Sequence, residues 1–196
     1  MNKFEQIANH YDSPERLQIA EQIADKIRQT VKTGEYDTAL DFGSGTGLVG
    51  LQLIDLFSQM IFVDTSGNML EIARKKIDQQ KIDSITLLHQ DLFLDSKGIS
   101  ADFVYLSQVL LHIPDTAAVF SLLKSLINPG GKLVIVDFDK EESIQHPDVH
   151  NGFSHRELIH IAEQAGFKNI QMETFYHGKN MFMNKDASLF ILQAEN

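Results

Sequence analysis

The sequence predicts an α/β fold built around a mainly parallel sheet. Short apolar runs of strand length alternate with helical patterns between residues 38 and 138, and such alternation is typical of parallel strands joined by crossover helices. The chain has 196 residues, of which 43% are hydrophobic and 22% charged. This size and composition suit one globular domain. We expect a single domain over 1–196, with a helical cap at 1–34, a first sheet half at 35–138 and a second half at 139–196.

Local patterns indicate each element in turn. Asp12 and Ser13 precede Pro14, and a capping residue followed by proline is typical of a helix start. An apolar stripe with steps of three and four continues this helix towards Gly34; its members are Leu17, Ala20, Ala24, Ile27 and Val31. Strands are then predicted at 38–42, 61–64, 84–89, 101–107 and 132–138, with helices at 48–57, 69–77 and 117–127.

The last part of the chain contains turn and capping signals. Residues 128–131, NPGG, predict a strong turn before the fifth strand. Residues 154–157, SHRE, predict a capping box for a helix that ends at Gly166. A polar segment with several histidines precedes this helix, at 139–152. Two strands close the chain, at 169–176 and 187–193, and the connection between them is long for a tight hairpin.

Charge and composition exclude several classes of function. Seventeen Lys and Arg against twenty-seven Asp and Glu give a net charge of −10, which disfavours nucleic acids and anionic membrane surfaces as partners. The absence of cysteine excludes disulfides, iron–sulfur clusters and Cys-ligated zinc. The N-terminus lacks the apolar segment of a signal peptide, and no apolar run has the length of a membrane span. We therefore expect a cytoplasmic protein, with a homodimer as one option for its oligomeric state.

A glycine-rich loop follows the first predicted strand. Residues 41–48, DFGSGTGL, lead from that strand into a helical pattern. Glycines let the backbone turn tightly and approach a ligand, and free amides at a helix start favour a negative group. Residues 45–50 also satisfy the dinucleotide pattern G-x-G-x-x-G. The loop therefore predicts a nucleotide-containing cofactor and leaves its identity open.

Two carboxylates narrow the choice of cofactor. Asp41 ends the first strand beside the glycines, where it would repel a pyrophosphate and attract the ammonium and sulfonium groups of S-adenosylmethionine. Asp64 ends the second strand, and a carboxylate at that place can accept hydrogen bonds from both ribose hydroxyls. Because Asp64 suits either cofactor, the discrimination depends on Asp41.

Over nearly its whole length the sequence resembles the class I S-adenosylmethionine-dependent methyltransferases, in the small-molecule branch that includes ubiquinone and menaquinone methyltransferases. Residues 39–47, 63–70, 89–92 and 126–133 are similar to four successive motifs of that family. The same branch has two further segments that this chain resembles, one at Phe4 and residues 10–12 and the other at residues 153–167. The resemblance implies a doubly wound, Rossmann-like seven-stranded sheet, mainly parallel with the last strand antiparallel. It also implies that 35–138 binds the cofactor and that 139–196 lies on the acceptor side.

The resemblance implies roles for individual residues. Asp41 and the carbonyl groups near Gly43 would hold the methionine amino group, and Asp64 would bind the ribose hydroxyls. Gly45, Gly47 and Thr65 are further cofactor-binding residues. Asp91 would accept a hydrogen bond from the adenine amino group, with the Leu92 amide reaching a ring nitrogen. Tyr11 would close over the cofactor, and Met69 would pack on adenine. Ser107 and Gln108 would line the sulfonium pocket. A core position for Met69 and a helix cap for Asp91 are open alternatives.

The predicted methyl acceptor is a small molecule. Residues 107–110 read SQVL, which lacks the [DN]-P-P-[FY] motif of enzymes that methylate amino groups of nucleic acids and the aspartate of metal-dependent catechol-type enzymes. No metal site is expected, since the histidines of the polar segment and the following helix start, His146, His150 and His155, have no carboxylate–histidine signature. His112 is the candidate catalytic base, because imidazole titrates near neutral pH, and a structural loop histidine is the alternative. Asp137 is a further candidate at the acceptor site.

Two rival functions stay open. The G-x-G-x-x-G pattern permits an NAD(P)-dependent oxidoreductase, which would give Asp41 no role. A non-catalytic module that binds S-adenosylmethionine is the second rival. Such modules usually lose a loop glycine or the ribose carboxylate, and this sequence retains both.

Overall fold

The structure is a computed structural model that describes residues 3–144, 146–147 and 149–196. The α-helices are α1 (Lys3–Ile7), α2 (Pro14–Arg28), α3 (Gly67–Gln80), α4 (Thr116–Leu126) and α5 (His155–Gln164). The strands are β1 (Thr38–Phe42), β2 (Gln59–Asp64), β3 (Ile85–His89), β4 (Ala101–Ser107), β5 (Ile127–Phe138), β6 (Lys168–Phe182) and β7 (Lys185–Glu195). Within the described ranges, every helix is too short or too polar to cross a membrane.

The seven strands form one sheet in the order β3-β2-β1-β4-β5-β7-β6. β1, β2 and β3 pair in parallel, with Asp41 opposite Phe62 and Asp64 opposite His89. β7 runs antiparallel to both β5 and β6. The prediction of a doubly wound, mainly parallel sheet with an antiparallel last strand is therefore confirmed.

The chain divides into two compact units, Met1–Asp102 and Phe103–Asn196. In the first unit, α2 begins as predicted, because the Ser13 hydroxyl accepts a hydrogen bond from the Arg16 amide at 3.4 Å and Pro14 follows the cap. Its buried stripe differs from the predicted one. Leu17 is 43% exposed, whereas Ile23, outside the predicted stripe, is buried.

The helix predicted over 48–57 is wrong. The structure has two 3-10 turns there, Gly50–Gln52 and Ile54–Leu56. Gly50 lies so close to β1 and β2 that an added Cβ would overlap the Phe62 ring and stand 2.7 Å from Asp41 Oδ2. Close packing of a bare backbone, together with the low helix propensity of glycine, outweighs the apolar pattern of this segment.

In the second unit, two segments differ in structure from the sequence prediction, the NPGG segment and the start of α5. Residues 128–131 lie inside β5, and the Gly131 carbonyl accepts a hydrogen bond from the Asn196 amide at 2.9 Å. The chain end therefore holds the NPGG segment in the sheet. Ser154 precedes α5 as predicted, but within the described residues its side chain makes no capping hydrogen bond.

The last two strands form a tight hairpin rather than two strands with a long loop. β6 and β7 pair as far as Phe182 and Lys185. The two residues between them, Met183 and Asn184, have φ of +51° and +60°, which is the left-handed backbone of a type I′ turn. Phe182 is buried, and its ring stacks on Phe138 with centroids 4.4 Å apart. This apolar contact extends the hairpin over the segment that the sequence predicted as a loop.

Candidate active site

The glycine loop is anchored to β2 by its own backbone. The amides of Gly43 and Ser44 donate to the Val63 carbonyl at 2.8 and 3.0 Å. Gly45 has a φ of +55°, and nothing lies within 4 Å of the place where its Cβ would stand. This backbone conformation favours glycine, and the backbone at Gly45 faces open space that can admit a ligand.

Asp64 joins the loop to the start of α3. Its Oδ2 accepts from the Gly45 amide and its Oδ1 from the Ser66 amide, each at 2.8 Å. Burial raises the pKa of Asp64, and the amide hydrogen bonds oppose that rise. The Thr65 amide also donates to this carboxylate. Because Asp64 is only half-buried, it can hold the loop and still be reached by ligand hydroxyls.

Two polar side chains in the loop fit the methionine end of S-adenosylmethionine. Asp41 is buried at the end of β1, where its charge can face an ammonium group. The Ser44 hydroxyl is buried and has no hydrogen-bond partner among the described residues. Buried polar groups are nearly always hydrogen-bonded, so this hydroxyl is suited to a polar ligand group.

Tyr11 lies close enough to Asp64 for electrostatic interaction. Burial raises the pKa of the Tyr11 phenol, the Arg16 cation lowers it, and the Asp64 charge raises it further. The Arg16 guanidinium stands over the Tyr11 ring, 4.1 Å from its centroid. The structure thus brings Tyr11 to the carboxylate that the sequence assigns to the ribose.

A second connection between the N-terminal segment and the glycine loop had no signal in the sequence. Asp12 accepts from the Thr46 hydroxyl at 2.5 Å, and its other oxygen forms an ion pair with Lys76 Nζ at 2.7 Å. Lys76 also donates to the Thr46 carbonyl at 2.8 Å. We call this trio, Asp12, Thr46 and Lys76, the N-terminal latch. Its members are distant in sequence, so no local motif indicates it.

The residues predicted for adenine have structural partners of their own. Met69 is buried in α3, which agrees with the core alternative. Asp91 Oδ1 accepts from the Phe93 amide at 2.9 Å, as a turn cap does. Leu92 is buried, whereas Thr65 is exposed and its carbonyl is hydrogen-bonded to His89 at 3.1 Å. The cofactor-binding roles of these four residues remain predictions.

The three predicted site residues of the second unit lie at and after the end of β4. Ser107 ends the strand, and Gln108 follows with a φ of +55°, its amide donating to the Val136 carbonyl at 2.8 Å. A side chain held in left-handed backbone is strained, and such strain is common at functional sites. His112 ends the 3-10 turn Leu110–His112 and is partly exposed.

Asp137, the further acceptor candidate, is fully buried at 0% exposure. Its oxygens accept from the amides of Leu111 at 3.1 Å and Phe138 at 2.8 Å. Burial raises its pKa to about 7. Asp137 is therefore enclosed by the chain and held by backbone amides, and its place at the acceptor site remains a prediction.

Two of the histidines between β5 and the end of α5 make hydrogen bonds that define their surroundings. His155 Nε2 lies 2.7 Å from Asp139 Oδ1, and Thr174 donates to the other Asp139 oxygen at 2.7 Å. His150 is hydrogen-bonded to the Ile113 carbonyl at 2.9 Å. In the described part of the chain, no three histidine, aspartate or glutamate side chains are grouped to hold a metal ion.

A comparison with protein families shows which family this chain belongs to. The sequence matches a family described as a methyltransferase domain over residues 15–172. The chain belongs to the class I S-adenosylmethionine-dependent methyltransferases. S-adenosylmethionine is accordingly its cofactor. The matched residues include the glycine loop, Asp64, the end of β4 and α5.

Relatives of this methyltransferase are named for different methyl acceptors. Phosphoethanolamine N-methyltransferase 2 of Caenorhabditis elegans is 31% identical over 146 residues, which are 69% of this chain and 33% of that protein. Demethylmenaquinone methyltransferase of Oceanobacillus iheyensis is 32% identical over 114 residues, 56% of this chain and 47% of the relative. The methyltransferase thus spans half or less of the length of these two relatives.

Solved structures share the fold. Phosphoethanolamine N-methyltransferase 2 of Haemonchus contortus, in complex with S-adenosylmethionine, has a TM-score of 0.74 and 18% identity, and the alignment covers 100% of this chain and 60% of that one. The YcgJ protein of Bacillus subtilis also has a TM-score of 0.74, with 12% identity, and the alignment covers 90% of this chain and 98% of that one. At these identities the likeness concerns the fold alone.

The family explains why the dinucleotide pattern is present in a methyltransferase. Two of its glycines, Gly45 and Gly47, belong to the loop. The third, Gly50, has no room for a side chain beside Phe62 and Asp41. The pattern G-x-G-x-x-G is therefore completed by a packing requirement, and it does not indicate a bound pyrophosphate here.

Proposed function

We propose that this methyltransferase transfers the methyl group of S-adenosylmethionine to a small-molecule acceptor by in-line displacement. The observation that carries the proposal is the hydrogen-bonded unit of Gly45, Asp64 and Ser66 beside the buried Asp41. It offers a carboxylate for the ribose and another for the methionine ammonium group. S-adenosylmethionine supplies an electrophilic methyl group on a sulfonium, which is a good leaving group. The chain's own contribution is alignment and exclusion of water.

Further residues of the first unit would orient the cofactor. Tyr11 would close over the ribose, because its phenol already lies in the field of Asp64. Gly43 and Gly47 would shape the loop, and Asp91 with the Leu92 amide would bind adenine. The N-terminal latch would keep residues 3–13 against the glycine loop.

The second unit would bind the acceptor. Ser107 and the strained Gln108 would face the sulfonium, and His112 would take a proton from an acceptor hydroxyl or ammonium group. The small-molecule class is supported by the net charge of −10, by the SQVL sequence at 107–110 and by the acceptors that the relatives are named for. We also propose that the chain consists of a helical cap at 1–34, a cofactor-binding half at 35–138 and an acceptor-side half at 139–196. The proposed location is the cytoplasm.

A transfer assay with labelled S-adenosylmethionine tests the proposal. The acceptors are phosphoethanolamine and demethylmenaquinone, with tRNA and duplex DNA as macromolecular alternatives. We expect label in at least one small molecule and its loss in Asp64→Ala. Label in nucleic acid alone would overturn the acceptor class. Tight cofactor binding without transfer to any of these acceptors would instead favour the non-catalytic module.

A further inference from the structure

The turn Leu110–His112 is held by a buried carboxylate on one side. Asp137 Oδ2 accepts from the Leu111 amide at 3.1 Å, and the Leu110 amide also donates to this carboxylate. The Phe138 amide fixes the other oxygen at 2.8 Å. The amides of the turn are thus tied to the end of β5.

The carbonyls of the same segment are held by His150. The His150 amide donates to the Leu111 carbonyl at 2.9 Å, and ring Nε2 lies 2.9 Å from the Ile113 carbonyl. A carbonyl can only accept, so Nε2 must carry the hydrogen in this contact. The His150 ring also packs on Phe153, with ring centroids 5.1 Å apart.

These contacts involve the residues on either side of His112 in the sequence. Leu111 is held through both its amide and its carbonyl, and Ile113 through its carbonyl. The backbone on each side of His112 is therefore fixed by residues from β5 and from the segment before α5. A side chain presented by a braced backbone needs no large rearrangement to act.

We propose that His150 is a positioning residue that orients His112 towards the methyl acceptor. This inference rests on the proposed function, in which His112 is the base. His150 acts through the Ile113 carbonyl and touches neither cofactor nor acceptor. Its contribution depends on one N–H donor, so a glutamine, whose amide nitrogen can reach a similar place, should replace it in part.

A double-mutant cycle tests this proposal, with phosphoethanolamine and demethylmenaquinone as acceptors. We expect His150→Leu to lower kcat about 10- to 100-fold while the Kd for S-adenosylmethionine changes less than twofold. His150→Gln should recover most of that loss. In a His112→Ala background, His150→Leu should lower kcat less than threefold further, since it acts through His112. His160→Leu, on the exposed face of α5, is the matched control.

Three outcomes would overturn the inference: an unchanged kcat in His150→Leu, an equal loss with and without His112, or a parallel loss of cofactor affinity. The proton resonance of His112 Cε1–H gives a readout that is independent of turnover. It should shift in His150→Leu and return in His150→Gln, and an unmoved resonance would also overturn the proposal. If wild-type protein labels neither acceptor, the proposed function fails, and the resonance alone then decides the role of His150.

Discussion

Asp64 and Asp137 are two carboxylates with the same kind of partners and different consequences. Each accepts hydrogen bonds from backbone amides of its own unit: Gly45 and Ser66 for Asp64, Leu111 and Phe138 for Asp137. Burial raises the pKa of both. Asp64 is half-buried, whereas Asp137 is completely enclosed. Accessibility, and not the set of partners, separates a residue that can bind a ligand from one that braces the chain.

Asp64→Ala should produce the largest change, and it should be a change in binding. Losing two hydrogen bonds to a charged acceptor costs about 3 kcal/mol or more, so we expect the Kd for S-adenosylmethionine to rise at least about 100-fold. Gly45 is partly exposed, so its freed amide can turn to water, whereas Ser66 is fully buried and its amide would lose its acceptor. The free energy of unfolding should therefore fall by about 1 kcal/mol. Calorimetric titration measures the first and denaturant unfolding the second. Asp55→Ala, which breaks an exposed ion pair with Arg28, is the control and should bind normally.

Asp137→Ala should show the opposite pattern. The amides of Leu110, Leu111 and Phe138 would be left without an acceptor in a dry environment. Each such group costs about 1 kcal/mol or more, so we expect the free energy of unfolding to fall by about 3 kcal/mol, with cofactor affinity within threefold of wild type. Urea denaturation monitored by circular dichroism measures the loss. If the two alanine variants were equally stable, the contrast between the carboxylates would be lost.

The titration of Asp137 should make stability depend on pH. Its carboxyl titrates at about 7 in the folded chain and near 3.9 when unfolded. The folded state therefore binds this proton more tightly, and the stability that this proton contributes at acid pH is lost as pH rises from about 4 to about 7. Between pH 5.5 and pH 8, wild type should lose about 2 kcal/mol of stability relative to Asp137→Asn. A difference that stays constant or increases over this range would contradict the assignment.

The N-terminal latch should give the smallest effect. In Lys76→Met, Asp12 loses its ion pair and the Thr46 carbonyl loses a donor. Partly exposed pairs contribute about 1 kcal/mol, so we expect the Kd for S-adenosylmethionine to rise about three- to tenfold. Calorimetry measures the change, with Lys75→Met on the exposed side of the same helix as the matched control. Equal affinities in the two variants would show that the latch does not support cofactor binding.

The sequence was sufficient to predict those features that depend on residues close together in the chain. Alternating apolar runs predicted the sheet, and Asp41, the loop glycines and Asp64 predicted the cofactor class. Contacts across long sequence separations were not predictable. Lys76 meets Thr46, and His150 meets the Ile113 carbonyl, only because the fold brings distant segments together.

The two largest errors of prediction had specific physical causes. The helix expected at 48–57 was wrong because the packing of Gly50 replaces an α-helix with 3-10 turns. The hairpin was missed because its turn is made by Met183 and Asn184, without the Asn-Gly or Asp-Gly signal that left-handed turns usually carry. In both cases tertiary contacts decided the local conformation.

The packing of Gly50 also determines which sequence changes this protein can tolerate. Any side chain at this position would push against the Phe62 ring and the Asp41 carboxylate, and so would displace the group proposed to hold the methionine end. A residue can thus be intolerant of every substitution without touching a ligand. Invariance at this position among homologous proteins would record lack of space, and it would be a poor guide to the cofactor.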